Sequence, residues 1–467
     1  MNKNKQPNLI IFGMESLRRD HMSLYGYDRL TTPYISKYLE KGVIFDNCFS
    51  PAIPTTPGYA SMLTGKDSFS TTVVSLHHRT GLPEGTVTLP ELLKENGYNT
   101  TCIGFPSTSP SARGFDKYDN YSGWGSWEEG RSHKAENLNA VTLPEIERLA
   151  AEDKPFFLFL RHMDPHSPYL PPEPYSRMFY QKDEFDKNNK SLEPVYNFKP
   201  FCDYFYTWFP PGCTDADYIT AQYDGEIAYM DACIQIILEK LNALGIEDET
   251  LVVFTSDHGE TLYDHDCYFD HHGLYDCTLI VPFAFRFSGR VDGGKRIGEY
   301  CYLKDICPTI LDLMGIQTDI KFDGRNLMPL LQGGTVEPEN EFYITECTWQ
   351  RKHGIRTKRW KYFKALEPDF HYKPEIELYD LENDPGEMKN IAEVRPDIVK
   401  LLEDKLAAHI AKREEATGRA APILNINLHN RERGFESSDE AYEILHIGDP
   451  EAAKRMQASF NKGKGDD

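Results

Sequence analysis

Several short stretches of this 467-residue chain carry side chains able to bind a cation and supply a nucleophile. In Ser256-Asp257-His258-Gly259-Glu260 an Asp is followed directly by a His, an oxygen and a nitrogen donor for one divalent cation. A helix-capping Asp in a strand-end turn would explain the same pair. Behind it lies a loop with Asp264, His265, Asp266, Asp270, His271 and His272, three histidines within eight positions. That density favours a site over a merely solvated loop. Glu15 ends another apolar run, as a second metal ligand or an ordinary surface Glu. His162, Asp164 and His166 follow a third run. Thr55 and Thr56 stand just ahead of a predicted helix, where a hydroxyl serves either as a cap or as a nucleophile facing free backbone N–H groups.

These residues need a scaffold that gathers strand ends. Asn8–Met14, Phe156–Leu160 and Leu251–Thr255 are continuous apolar runs, which suit strands covered on both faces. Ile227, Met230, Ile234, Ile237, Leu238 and Leu241 recur at spacings of three and four, and that amphipathic helix feeds the Asp257 strand. Helix, short loop and strand in this order predict a large doubly wound α/β sheet, mostly parallel, whose carboxyl ends bind ligands. Further helices are expected over Thr32–Val43, Tyr59–Leu63 (Pro54 and Pro57 preventing an earlier start), Thr88–Glu95 and Asp305–Met314. Short strands are expected at Thr100–Gly104 and Thr278–Phe283. The aromatic stretch 171–217 reads as a long insertion forming a lid or substrate wall. From Pro338 short strands with turns predict a small antiparallel sheet, followed by a helix from Pro396 to about Arg413. The domains are therefore placed at 1–335 (catalytic), 336–413 (antiparallel subdomain) and 414–467, a polar tail that wraps the domain or takes part in assembly.

A formal charge of -22 argues against general nucleic-acid binding, which needs clustered Lys and Arg. An anionic substrate stays open, because a bound metal reverses the local field. Met1–Pro7 is polar, and no apolar run approaches the length of a membrane span, so the reading is soluble and cytoplasmic, without a membrane partner. Ten scattered cysteines without CxxC spacing fit reduced thiols.

Seven motifs in order carry a family resemblance. Glu15-Ser16-Leu17-Arg18-Arg19-Asp20, Thr55 to Gly65 and Asp257-His258-Gly259-Glu260 resemble the sulfatase branch of the alkaline phosphatase superfamily. Met163-Asp164-Pro165-His166-Ser167-Pro168-Tyr169 resembles its strand-end histidine motif. Asp305 to Asp312, Asp323 to Leu327 and Leu378 to Pro385 are similar to its linker and carboxyl-terminal motifs, so the resemblance covers about residues 8 to 410. Three departures bear on function. Thr55 stands where the family carries the Cys or Ser oxidised to formylglycine, and Tyr59 replaces the supporting Arg, so no formylglycine is expected. The segment looks instead like the Thr-x-Pro…Thr-Gly motif of nucleotide pyrophosphatase/phosphodiesterases. Glu15 replaces the usual Asp ligand, with Ser16 beside it, and His271 replaces a Lys.

The resemblance implies one divalent metal (Zn, Mn or Ca, the mixed donor set favouring the first two) held by Glu15, Thr55, Asp257 and His258. Thr55 would be the nucleophile, with His166 and His271 or His272 at the transferring group or leaving oxygen. Arg18, Asp20, His162, Asp164 and His265 would form a supporting shell. A second metal is open: the phosphodiesterase Asp-x-x-x-His spacing is absent from the expected place, although the 264–272 loop could supply ligands. The expected activity is hydrolysis or transfer on a small phosphate or phosphonate ester. The alternatives are a sulfuric ester hydrolase without formylglycine and a non-catalytic anion-binding protein. A homo-oligomer is compatible with this reading.

Overall fold

Strands whose residues are apolar at every position can only lie inside a covered sheet, and this chain builds its main sheet from them. The computed structural model describes residues 6–426 except 76–80, 124, 199–204, 349, 368 and 370. In chain order the main-sheet strands are β1 (Asn8–Met14), β2 (Val43–Phe49), β4 (Asn99–Ile103), β5 (Lys117–Asp119), β6 (Phe156–His162), β7 (Thr250–Thr255), β8 (Ile280–Arg286) and β9 (Lys295–Tyr302). A two-residue strand, β3 (Ala52–Ile53), lies outside this sheet. The order is β5-β4-β6-β1-β7-β8-β2-β9, and only β8 runs against its neighbours.

Alternation along the central strands separates two cores. Ile10, Phe12, Leu158, Leu160, Val252 and Phe254 pack on one face, where α3 (Ala216–Ala243) lies. Leu9, Ile11, Phe157, Phe159, Leu251 and Val253 pack on the other, with α1 (Thr55–Thr64) and α4 (Ile306–Met314). A sheet with helices on both faces is the doubly wound arrangement that the sequence predicts. Because β6, β1 and β7 are parallel neighbours, their carboxyl ends open together, with Gly13 in register with both Arg161 and Thr255.

A second sheet has the order β13-β12-β11-β10-β3. Here β10 (Glu341–Cys347), β11 (Arg351–Thr357), β12 (Trp360–Ala365) and β13 (Ile376–Asp380) are antiparallel. Its last strand, β3, comes from far upstream and pairs parallel with β10, Ile53 opposite Glu346. The segment that carries Thr55 is thereby tied to the small sheet. Helix α5 (Pro396–Thr417) covers that sheet through Leu402 and Leu406.

Several expectations change in detail. The first helix ends at Leu39, and Val43 begins β2, whose β-branched and aromatic residues suit a strand. Helix α1 starts at Thr55 rather than Tyr59, because Pro57 falls in the first turn, whose N–H groups have no intrahelical partner. Residues 276–279 form a helical turn, so β8 starts at Ile280. The described part of the 171–217 insertion is no loose wall: Tyr180, Leu192, Val195, Trp208 and Phe209 are buried in the core against α3. Thr88 caps α2 (Leu89–Glu95) in a capping box with Glu91, as its spacing predicts. Of the polar tail, 427–467 lies outside the described residues, while Ile423 packs into the small core. No helix among the described residues is long and apolar enough to cross a membrane.

Candidate active site

Thr55 occupies the first turn of α1, with Pro54 before it at the capping position, so its hydroxyl is spent on tertiary contacts instead of a cap. Its Oγ1 donates to Glu15 Oε1 at 2.8 Å and lies 3.3 Å from His258 Nε2. The helix can come this close to β7 because residue 58 is glycine. A Cβ there would stand 2.8 Å from the Asp257 carbonyl oxygen.

Asp257 and His258 follow β7 and are fully buried. The Ser16 N–H, 3.1 Å away, and the Ser256 hydroxyl, 3.3 Å away, both donate to Asp257 Oδ1. To present that N–H, Ser16 takes a left-handed backbone, φ 57°, which a non-glycine residue adopts only when its surroundings impose it. Asp257 Oδ2 has no hydrogen-bond partner among the described residues and lies 3.3 Å from His258 Nε2. His258 Nδ1 lies 2.8 Å from the Gly259 carbonyl, which places the proton on Nδ1 and leaves Nε2 as a lone-pair donor. Burial, then the Glu15 charge, pushes the Asp257 carboxyl well above its usual range, while burial and the nearby His271 lower His258 to about 3. An orphaned carboxylate oxygen beside an unprotonated imidazole nitrogen and a hydroxyl is a donor set that suits a divalent cation.

Glu15 is held from the other side by a residue that the sequence reading passed over. Arg161 donates from Nε to Glu15 Oε2 and from Nη2 to Oε1, both at 2.6 Å, and its guanidinium lies 4.3 Å over the Phe105 ring centroid. Burial would raise the Glu15 pKa, but the Arg161 charge and hydrogen bonds draw it down to about 2. The available signal was a charged residue near the end of the apolar β6 run, one position from His162 and so on the opposite face. Tyr59, in contrast, is a core residue. Its ring meets Phe159 and Phe105 edge-on, and its hydroxyl lies where a Gly13 side chain would otherwise be.

The histidines gather on the far side of Thr55. The His271 ring lies 4.7 Å from the His258 ring and 5.6 Å from that of His166. His166 Nδ1 is 2.6 Å from the Ser167 carbonyl, and burial lowers its pKa to about 4. His272 Nε2 is 3.1 Å from Asp270 Oδ2, and although burial opposes its charge, Asp270 raises its pKa to about 9. Glu346, from the small sheet, lies 3.7 Å from His272 Nδ1. Glu260, Asp270 and His271 each offer a ligand atom within 4.8 Å of the others, and all three are buried.

The supporting residues divide. Arg18 pairs with Asp20 at 2.8 Å and Asp264 at 2.5 Å, lining with His265 a cleft on the outer side of the loop. His265 stacks on Tyr275 at 3.7 Å. His162 faces Phe12 on the side of β6 opposite Arg161, and burial lowers it to about 3. Asp164 pairs with buried Lys134 at 3.2 Å, which also holds Glu226 at 2.9 Å. The structure thus brings Glu15, Thr55, Asp257, His258, His166 and His271 together, with His272 behind them. The side chains of Arg18, Asp20, His162, Asp164 and His265 make their named contacts elsewhere, and only the His162 backbone, whose carbonyl accepts the Glu15 N–H at 3.0 Å, touches the group among the contacts described.

Comparison with known proteins places these residues in context. Residues 7–316 match the family model for sulfatases, and 264–414 match that for the carboxyl-terminal region of N-sulphoglucosamine sulphohydrolase. An N-acetylglucosamine-6-O-sulfatase of Bacteroides thetaiotaomicron is 24% identical, over 86% of each chain. A multifunctional alkaline phosphatase superfamily protein of Trinickia caryophylli is 25% identical, over 78% of this chain and 86% of its own. The phosphonate monoester hydrolase of Agrobacterium radiobacter has the same fold, with a TM-score of 0.69 at 22% identity, over 87% of this chain and 96% of its own. With its two-sheet architecture and a family match over most of its length, the chain belongs to the sulfatase family of the alkaline phosphatase superfamily, hydrolases that use a divalent metal ion.

Proposed function

We propose that this protein hydrolyses small phosphate or phosphonate esters with Thr55 as its nucleophile. The observation that carries this reading is the Thr55 hydroxyl, 2.8 Å from Glu15 and 3.3 Å from His258, at the amino end of a buried helix. Threonine is a secondary alcohol and does not yield the formylglycine aldehyde, so the hydroxyl itself must react. A divalent cation, Zn²⁺ or Mn²⁺ before Ca²⁺, held by Asp257, His258, Glu15 and Thr55 would lower the hydroxyl pKa and neutralise the ester oxygens.

The chain's own residues supply the rest. Glu15 accepts the Thr55 hydrogen bond and orients Oγ1, and Oγ1 forms the bond to phosphorus as the ester oxygen departs and the Thr55 proton passes to solvent. The positive dipole end of α1, at whose first turn Thr55 sits, meets the developing charge. Arg161, partly exposed, keeps Glu15 ionised and in place, and adds the positive charge lost with the replacement of the family's Arg by Tyr59. His271 and His166 line the histidine side of the pocket, where the leaving oxygen takes its proton from water, and a second water then releases the phosphoryl group from Thr55. His272, fully buried between Asp270 and Glu346, orients that pair without reaching the ester.

Sulfuric ester hydrolysis through the same Thr55 is the second reading, supported by relatives named as sulfatases. The same substrate class, a small anionic ester, serves both. Unpaired thiols at Cys48 and Cys301, opposite each other on β2 and β9, support a reducing, cytoplasmic setting. The test is turnover of p-nitrophenyl phosphate, a phenyl phosphonate ester, a phosphodiester and p-nitrophenyl sulfate by metal-loaded protein. Thr55→Ala should lower phosphorus-ester turnover about 10³-fold or more, with Thr55→Ser retaining part of it. Full activity in Thr55→Ala would refute the nucleophile assignment, and a preference for sulfate would select the second reading.

A further inference from the structure

We infer that the protein holds a second divalent cation, bound by Glu260, Asp270 and His271 and distinct from the ion at Asp257 and His258. Glu260 and Asp270 offer one carboxylate oxygen each and His271 an imidazole nitrogen, all within 4.8 Å of one another. Three donors converging at this distance from two loop segments form a built site, and Glu260 and Asp270 are carried on paired backbone, with Thr261 and Asp270 bridged.

The independent observation is the state of these atoms. Glu260 is fully buried, and among the described residues neither of its carboxylate oxygens has a hydrogen-bond partner in good geometry, although the Tyr169 hydroxyl approaches it. His271 Nδ1 is also buried; it lies 2.9 Å from Asp270 Oδ1 and 3.9 Å from Glu260 Oε1, and among the described residues it makes no hydrogen bond of good geometry. Buried polar atoms are almost always satisfied, so donors left open toward one point indicate a missing partner. The nearby cations are already taken. Arg18 is paired with Asp20 and Asp264, Arg161 with Glu15, and Lys352 with Asp369. Asp270 Oδ2 is satisfied by His272, and Oδ1 accepts the His271 backbone N–H at 2.7 Å, so Asp270 would reach the ion through the remaining lone pair of Oδ1, while both Glu260 oxygens stay open.

Two carboxylates and one imidazole are a donor set for Mn²⁺ or Zn²⁺. Coordination through Nδ1 leaves the His271 proton on Nε2, so the residue can still donate a hydrogen bond into the pocket. The second ion would therefore lie beside His271, on the histidine-rich side of the pocket, and fix its tautomer. This assignment does not depend on which ester is hydrolysed or on Thr55 being the nucleophile.

The experiment counts metal. Chelated full-length protein is titrated with Mn²⁺ and separately with Zn²⁺, and bound metal is measured by elemental analysis after gel filtration. Two equivalents are expected in the native protein and one in Glu260→Gln and in Asp270→Asn, each checked for folding by circular dichroism. Thr55→Ala should retain the Glu260-site ion, which separates failure of this assignment from failure of the nucleophile reading. A single equivalent in the native protein that persists in Glu260→Gln would overturn the second site. If a variant does not fold, the native stoichiometry decides alone.

Discussion

Arg161 and Glu15 meet through two 2.6 Å hydrogen bonds at the carboxyl ends of neighbouring strands, a fork-to-carboxylate pair directly under the Thr55 hydroxyl. The pair is geometrically demanding because both partners are planar, and it is placed by the parallel register of β1 and β6. Glu15 has no exposure to solvent, so its charge is tolerable only while a cation faces it.

Arg161→Met should therefore destabilise the protein by about 3–5 kcal/mol, as expected when one partner of a buried pair is removed. Arg161→Lys should recover part of the stability but not the two-point geometry. Urea denaturation in chelator isolates the effect from bound metal. A loss below about 1 kcal/mol would mean that solvent already screens the pair.

Gly58→Ala tests the approach of α1 to the strand end. The added methyl would stand 2.8 Å from the Asp257 carbonyl oxygen and 3.3 Å from its Cβ, neither of which can swing away. Overpacking of this kind costs about 1–3 kcal/mol and should separate Thr55 from Asp257 and His258. The expected result is weakened binding of the Asp257-site metal together with reduced turnover. Unchanged metal affinity would show that the backbone yields elsewhere.

Acid stability should depend on Glu145, buried beneath Thr101, Lys117 and Arg148. Burial would raise its pKa, but hydrogen bonds from Arg148, Lys117 and Thr101 bring it down to about 2. A depressed carboxylate pKa stabilises the fold above its unfolded value near 4.5, and that contribution disappears as pH falls toward 2. Because Lys117 and Arg148 are nearly half exposed, Glu145→Gln should cost about 1 kcal/mol at pH 7. The gap between mutant and native denaturation midpoints should close between pH 4.5 and pH 2. A gap that stays constant across this window would show that packing, rather than charge, sets the cost.

Much of the scaffold was legible because its signals are local. The apolar runs at β1, β6 and β7, the three-and-four spacing along α3 and the Thr88 capping box each depend on neighbours a few residues away. Asp257, His258, Glu15 and Thr55 could be proposed together because each follows or precedes a recognisable element in a motif of familiar order. Strands β5 and β9 carried weaker signals. The short β5 is only partly buried, and β9 mixes charged with apolar residues, so neither shows a continuous run.

The sequence by itself determined the strand ends on which chemistry could occur, the threonine hydroxyl at the head of α1 and the two-sheet organisation, since these rest on residue identity and short-range periodicity. Tertiary structure alone decided which ends meet. The order β6-β1-β7 brings Arg161, 146 positions from Glu15, to its carboxylate, while its neighbour His162 turns to the other face. The parallel pairing of β3 with β10 fastens the Thr55 segment to the small sheet, next to Glu346 and the buried histidines. The open oxygens of Glu260 likewise become apparent only in three dimensions, because a hydrogen bond is satisfied or unsatisfied by position and not by residue type.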